Sequence, residues 1–263
     1  MLTPANALTI PIVLLACTLN AIGAPMECAD GAAQGQGVSS PRKKKLGDVT
    51  YRTMWRLQKR VQAMLPKNAT LISPMLRLSA DGMGRFERTE FKPDPWAVAI
   101  VGKTVDALVP MRRGGYFALP LLPQAQARNE DAIVMFNAQS RKNWFDVGWQ
   151  VNIPRSGMLT YTQFGQALAE LKLAQAEIPW WDIMAIPEKT ARFDAIRACF
   201  TSDQGKILVA GAPSGQKLTP HCTLLTFDPL KLQDNPAIAF DGGLDFVTLD
   251  HTGDHDMDDK AAL

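Results

Sequence analysis

The C-terminal tail holds the densest group of metal-binding side-chain types in the sequence. Two of the three histidines, His251 and His255, lie there among five carboxylates, with Asp254 between them. Imidazole and carboxylate together suit a divalent transition metal, and the spacing would place both rings on one side of a helix. Gly253 and the run of like charge argue against a helix. The tail is thus a candidate metal site at His251, Asp254 and His255, with a solvated tail as the alternative.

A second group of reactive side-chain types is His221, Cys222 and Asp228. An imidazole beside a thiol suggests a thiol nucleophile, but neighbours in a strand point to opposite faces, so a core or disulfide cysteine explains Cys222 better. A hydrolase site assembled from distant residues, such as Asp182, His221 and Asp228, stays open. The sequence contains no G-x-S-x-G, P-loop, G-x-G-x-x-G or H-E-x-x-H motif. The common hydrolase, nucleotide-binding and metalloprotease signatures are therefore missing, and no cofactor is predicted.

The most aromatic point of the chain is Trp180-Trp181-Asp182. Indole rings offer a wide apolar area at a small entropic cost, so paired tryptophans beside a carboxylate can stack on a sugar or another flat ligand. Core packing of the two rings is the alternative. The three residues are a candidate ligand-binding site.

The N-terminal segment that precedes the predicted elements is typical of an exported protein. Residues 1–24 contain no charged side chain, and Ala7–Ala16 form a continuous apolar stretch of the length of a signal-peptide core. We expect a signal peptide over 1–24, and a periplasmic or secreted protein, although no basic residue stands near Met1. Leu14-Leu15-Ala16-Cys17 also resembles a bacterial lipobox, so lipidation at Cys17 is the alternative.

The remaining cysteines fit an oxidising compartment. Cleavage after residue 24 leaves Cys28, Cys199 and Cys222. Cys199 and Cys222 are the better candidates for a disulfide, because each lies in an apolar run typical of a strand. Two buried free thiols are the alternative. No C-x-x-C spacing supports a structural zinc site.

Residues 25–47 are expected to form a flexible linker, rich in Gly, Ala, Gln and Ser, that ends in the basic cluster 42–45. An amphipathic helix is predicted from about Val49 to Leu65, with Asp48 as its N-cap and Pro66 after its end. From 41 to 68 there are nine basic residues and one acidic residue, a local charge of +8. This basic stretch, 42–60 above all, is a candidate contact for an anionic membrane surface or an envelope protein; a nucleic acid is disfavoured, and a solvated helix face is the alternative.

Short strands follow the helix. In Phe145–Ile153, apolar residues alternate with polar ones, a pattern typical of a strand with one buried face. Several such runs separated by turn residues predict an antiparallel β-sandwich over 48–155. They are Leu76–Ser79, Trp96–Val101, Tyr116–Leu119, Ala132–Phe136 and Phe145–Ile153.

A resemblance rests on the runs Ala97–Gly102, Ala107–Pro110 and Gly115–Pro120. They resemble the strands and the G-x-F-x-L-P turn of carboxypeptidase-regulatory-like (transthyretin-like) β-sandwich modules. The stretch from about Asp48 to Pro154 also looks like a group of uncharacterised exported proteins of proteobacteria. Modules of this type are usually non-catalytic, so the resemblance implies a scaffold or binding role and no active-site residue.

The region 156–249 is expected to be β-rich, before an acidic tail over 250–263. A helix beginning near Thr162 is favoured, although Leu171–Ala174 also alternates as a strand does. The fold class is thus mainly β with an N-terminal helix, either one elaborated sandwich or a sandwich followed by a small β-rich region. The four strands predicted here are Ala195–Phe200, Lys206–Val209, Cys222–Phe227 and Leu244–Leu249.

The composition excludes two classes of protein. The 263 residues are 46% hydrophobic with a net charge of +2, which excludes wholesale disorder. Only one segment is apolar enough to enter a bilayer, which excludes a polytopic membrane protein. An exported, non-catalytic scaffold or binding module of the cell envelope is the favoured function. An exported hydrolase and a carbohydrate-binding protein using Trp180 and Trp181 are the alternatives.

Overall fold

The computed structural model describes residues 49–80, 83–92, 98–123, 132–136, 143–178 and 192–252. These residues form a mainly β fold of three antiparallel sheets with three α-helices, as the sequence predicted at this coarse level. The helices are α1 (Tyr51–Ala63), α2 (Arg85–Glu90) and α3 (Tyr161–Ala176). The strands are β1 (Val49–Thr50), β2 (Ile72–Ala80), β3 (Val98–Val101), β4 (Asp106–Val109), β5 (Tyr116–Phe117), β6 (Ile133–Phe136), β7 (Asn143–Val151), β8 (Met158–Thr160), β9 (Ala195–Phe200), β10 (Lys206–Val209), β11 (Ala212–Ser214), β12 (Gln216–Lys217), β13 (Cys222–Thr226), β14 (Ala237–Asp241) and β15 (Leu244–Asp250).

The central sheet has seven strands in the order β12-β13-β9-β15-β7-β2-β5. Its longest pairing joins β2 to β7 over nine residues, from Ile72 opposite Val151 to Ala80 opposite Asn143. Strands from both predicted regions, 48–155 and 156–249, lie side by side in this sheet. The two regions therefore share one structural framework.

One face of the central sheet carries the hydrophobic core. Residues two apart on a strand point to the same face, so Ile72, Leu76 and Leu78 of β2 all point to this side. Ile72 belongs to a cluster with α3 and the sheet of β11, β10, β14 and β8. Leu76 and Leu78 belong to a second cluster with α1 and the sheet of β1, β6, β3 and β4. Both small sheets thus pack on one face of the central sheet.

Helix α1 lies within the predicted range, but its N-cap differs. Thr50 caps it by accepting a hydrogen bond from the Thr53 backbone N at 3.3 Å. The prediction of Asp48 as N-cap is wrong, because the chain is still extended at Val49 and Thr50, where β1 pairs with β6. The first helical turn begins only after that pairing.

Helix α3 confirms the helix predicted from near Thr162 and excludes a strand over Leu171–Ala174. A capping box starts it: the Thr160 hydroxyl accepts from the Gln163 backbone N, and the Gln163 side chain accepts from the Thr160 backbone N. Both interactions satisfy backbone donors that a helix start leaves without partners.

Cys199 and Cys222 form a disulfide, as predicted. They lie directly opposite each other on β9 and β13, and both side chains are buried. The signal peptide, the linker, the basic cluster 42–45 and the candidate lipidation site Cys17 lie outside the described residues. Within the described ranges, no helix is long and apolar enough to cross a membrane.

Candidate functional site

The second face of the central sheet carries the clustered charged residues of the protein. On β9 the sequence alternates, so Ala195, Arg197 and Cys199 point away from the main core. Thr89 and Glu90, at the end of α2, reach side chains on this face or at its rim. The loop between β4 and β5 is joined to α2 because Gly114 and Gly115 donate backbone hydrogen bonds to Phe91 O, at 2.8 and 3.1 Å. We call the charged and hydroxyl-bearing residues gathered here the polar cluster; it consists of Thr89, Glu90, Arg113, Tyr116, Arg197, Thr219, His221 and Asp250.

Glu90 is the centre of one half of the polar cluster. Its carboxylate accepts from Arg113 Nη1 at 2.7 Å, from His221 Nδ1 at 2.9 Å and from the His221 backbone N at 3.2 Å. The Thr219 side chain lies next to the carboxylate and also favours its charged form. Burial raises the pKa of Glu90, but the hydrogen bonds from Thr219 and His221 and the charge of Arg113 outweigh it, so its pKa is lowered from the ordinary value. Glu90 is therefore a carboxylate held in its charged form.

His221 is oriented by Glu90. Because the charged Glu90 carboxylate can only accept, Nδ1 donates this hydrogen bond, and Nε2 points away from Glu90's hydrogen bond as the second ring nitrogen. The side chain of His221 is 29% exposed, and no described residue is hydrogen-bonded to Nε2.

Arg197 is the centre of the other half. It donates from Nη2 to Tyr116 Oη at 3.0 Å and from Nη1 to Thr89 Oγ1 at 3.4 Å. Asp250 Oδ2 lies 3.1 Å from Nη1, an ion pair outside hydrogen-bond geometry. Burial lowers the pKa of Arg197, but Asp250 and Tyr116 raise it, and the net shift is upward. The guanidinium stays charged because its neighbours compensate for lost hydration.

Asp245 ties the β4–β5 loop to the rim of the central sheet. Its carboxylate accepts from the Arg113 backbone N at 3.1 Å and from Arg112 Nη1 at 3.2 Å, and Lys92 Nζ lies 3.7 Å away. Arg113 is thus held at its backbone by Asp245 and at its side chain by Glu90. Both carboxylates position the same loop.

Two members of the predicted hydrolase set, His221 and Asp228, lie far apart. His221 precedes β13 and Asp228 follows it, so about seven extended residues, roughly 23 Å, separate them. Asp228 instead caps the 3-10 helix Pro229–Leu232, accepting from the Leu230 backbone N at 3.1 Å. The thiol-nucleophile interpretation of Cys222 is wrong, since its sulfur is in the disulfide. Asp182, the third member of the set, lies outside the described residues.

Of the other candidate residues, the structure describes only His251. His251 stacks edge-on against Phe193, with ring centroids 6.5 Å apart. Asp254 and His255, the remaining metal candidates, and Trp180 and Trp181, the ligand-binding candidates, lie outside the described residues. In the ranges that the structure describes, no group of three His, Cys, Asp or Glu residues is arranged to hold a metal ion.

Sequence reasoning missed Glu90, Arg113 and Arg197. Only Arg197 left a signal: it interrupts the apolar strand Ala195–Phe200, and a charge at such a position requires a buried partner. Glu90 lies in a six-residue charged helix with no apolar period, and Arg113 lies in a loop. No local pattern distinguishes either residue from a solvated surface charge.

Comparison with known proteins assigns the chain to no family. No family model, no curated protein and no solved structure matches the chain.

Proposed function

We propose that the chain is an exported, non-catalytic protein that acts as a scaffold or binding module of the cell envelope. The observation that carries the proposal is the Glu90 carboxylate, which accepts three hydrogen bonds from Arg113 and His221. Arg113 lies in the β4–β5 loop and His221 precedes β13, so Glu90 joins α2 to both. The polar cluster thus holds α2 and the β4–β5 loop in place.

Arg197 supports the same interpretation. It is buried, and Tyr116, Thr89 and Asp250 surround its guanidinium. A buried charge is costly to leave without its partners, so Arg197 favours the arrangement in which these elements meet. The resemblance to carboxypeptidase-regulatory-like modules, which are usually non-catalytic, favours a β-sandwich with a binding or scaffold role as well.

Export is supported by the sequence of residues 1–24 and by the buried disulfide. A disulfide is compatible with an oxidising compartment outside the cytoplasm. The direct test is intact mass and N-terminal sequencing of the protein recovered from its native host. We expect an N-terminus near Pro25, or a lipidated Cys17, and the loss of two hydrogens to a disulfide. An unprocessed Met1 with free thiols at Cys199 and Cys222 would overturn the proposal.

A hydrolase is the second candidate, because the His221–Glu90 pair is the geometry of a general base. The carboxylate on Nδ1 leaves Nε2 able to take a proton from water, and His221 is partly exposed. A panel of chromogenic ester and phosphoester substrates tests this function. Turnover by the wild type that His221→Gln abolishes, with an unchanged melting temperature, would favour the hydrolase; the same rate in both proteins would exclude His221 as the base.

A further inference from the structure

We propose that the outer face of α1 binds the anionic surface of a phospholipid bilayer. The proposal rests on the proposed envelope function and names the partner of one surface. We call this surface the basic face of α1; its residues are Arg52, Arg56, Lys59 and Arg60.

The inner side of α1 is fixed to the protein. Tyr51 Oη donates to Pro120 O at 2.6 Å and accepts from the Leu122 backbone N at 3.1 Å. Gln58 makes two hydrogen bonds to the backbone of Leu119, at 3.1 and 2.8 Å. Met54 and Val61 are buried on the same side. The rotation of the helix about its axis is therefore set, and its outer face is presented rigidly.

The basic face follows from this rotation. Arg52, Arg56 and Lys59 are spaced by four and three residues, which places them along one line of the helix opposite the buried side chains. The line is about 10 Å long at 1.5 Å per residue. Arg56, Lys59 and Arg60 are exposed. Lys59 also lies 5.0 Å above the ring of Trp55, which holds its charge close to the helix.

The stretch of sequence that carries this surface is strongly basic, with nine basic residues and one acidic residue, Asp48, from 41 to 68. No Asp or Glu occurs between 49 and 80, and Lys67 adds a further exposed cation after the helix. In the sequence, the cluster 42–45 precedes α1 by only five residues. A dense cationic surface of this kind complements the anionic headgroups of a bilayer, because each basic residue adds an attraction to the negative surface potential.

The test is co-sedimentation of the full processed protein with vesicles. One set contains phosphatidylglycerol mixed with phosphatidylcholine, and the other contains phosphatidylcholine alone. We expect binding to the anionic vesicles only, weakening as salt is raised. The variant R56Q/K59Q/R60Q should bind on the order of a hundredfold more weakly, about fivefold for each charge removed.

The control variant is K103Q/R155Q/K172Q, which removes the same three charges from exposed positions outside α1. It should bind about as well as the wild type. Circular dichroism checks that both variants fold, and the single variants R56Q and K59Q serve if the triple variant does not. Equal loss in both triple variants, no anionic preference, or tighter binding to duplex DNA at the same salt would each overturn the proposal. None of these results affects N-terminal processing or the disulfide, so failure here is distinguishable from failure of the envelope function.

Discussion

The ring of Tyr116 lies directly over Gly148, where a Cβ atom would overlap its edge. Tyr116 belongs to β5 at one side of the central sheet, and its ring reaches over β7 to contact Phe246 of β15, with centroids 5.2 Å apart. Its hydroxyl then accepts the hydrogen bond from Arg197 of β9. The missing side chain at residue 148 therefore lets one tyrosine join the edge of the sheet to the polar cluster.

Replacing Gly148 with Ala should destabilise the protein by about 1–3 kcal/mol, because the added methyl group displaces the Tyr116 ring and its contact with Arg197. Urea unfolding measures the change. Gly84→Ala is the control: a Cβ there meets nothing within 4 Å, so only the N-cap preference for glycine over alanine is lost, about 0.5 kcal/mol. Equal effects of the two substitutions would show that the Tyr116 contact is not needed.

The contributions of Arg197 and Asp250 to the free energy of unfolding should be strongly coupled. Removing one buried partner leaves the other charge uncompensated, so Arg197→Met and Asp250→Asn should each cost about 3–5 kcal/mol. The double variant should be destabilised by at least about 1 kcal/mol less than the sum of the two single changes in the free energy of unfolding. A double-mutant cycle in urea measures this difference. The exposed pair Lys206–Asp241, 3.4 Å apart on β10 and β14, is the control. Its coupling should lie below about 1 kcal/mol, and similar values for both pairs would contradict the account.

Glu90 should make the free energy of unfolding depend on pH under acidic conditions. Its folded pKa lies below its ordinary value, so its contribution is present at neutral pH and is lost as pH falls below about 4.5 and through the lowered pKa. Glu90→Gln should therefore be less stable than the wild type at pH 7, and the difference should shrink on acidification. Thermal unfolding across this range tests it, with Glu87→Gln, an exposed carboxylate on the same helix, as control. A constant difference at all pH values would contradict the lowered pKa.

Loss of the disulfide should lower the free energy of unfolding by about 3 kcal/mol. The bond closes a loop in the unfolded chain between cysteines 23 residues apart in sequence. The variant C199A/C222A should have a lower urea midpoint than the wild type. Reductant should lower the wild-type midpoint and leave that of the variant unchanged. A wild type that does not respond to reductant under unfolding conditions would argue against the bond.

The sequence predicted the strands that are apolar runs and failed where elements are largely exposed or charged. Strands β9 and β10 have their predicted bounds, because each is an apolar run next to turn residues. Strand β14, Ala237–Asp241, and helix α2 were missed, since each buries only one residue and shows no clear apolar period.

The polar cluster was beyond sequence reasoning for a different reason. Glu90 meets Arg113 across 23 residues and His221 across 131. These contacts depend on the strand order of the central sheet, which local periodicity does not encode. The Cys199–Cys222 pair was predictable because thiols have few alternative partners, whereas a glutamate has many.

The measurement that tests the structural role of the polar cluster most directly is hydrogen exchange, followed by mass spectrometry, on the wild type, Glu90→Gln and Glu87→Gln. We predict that Glu90→Gln speeds exchange in α2 and in the loop 110–115 while β10 and β14 keep wild-type protection, and that Glu87→Gln changes neither region. Unchanged exchange in α2 and the loop, together with turnover that the wild type shows and Glu90→Gln loses, would contradict a structural role and favour the hydrolase.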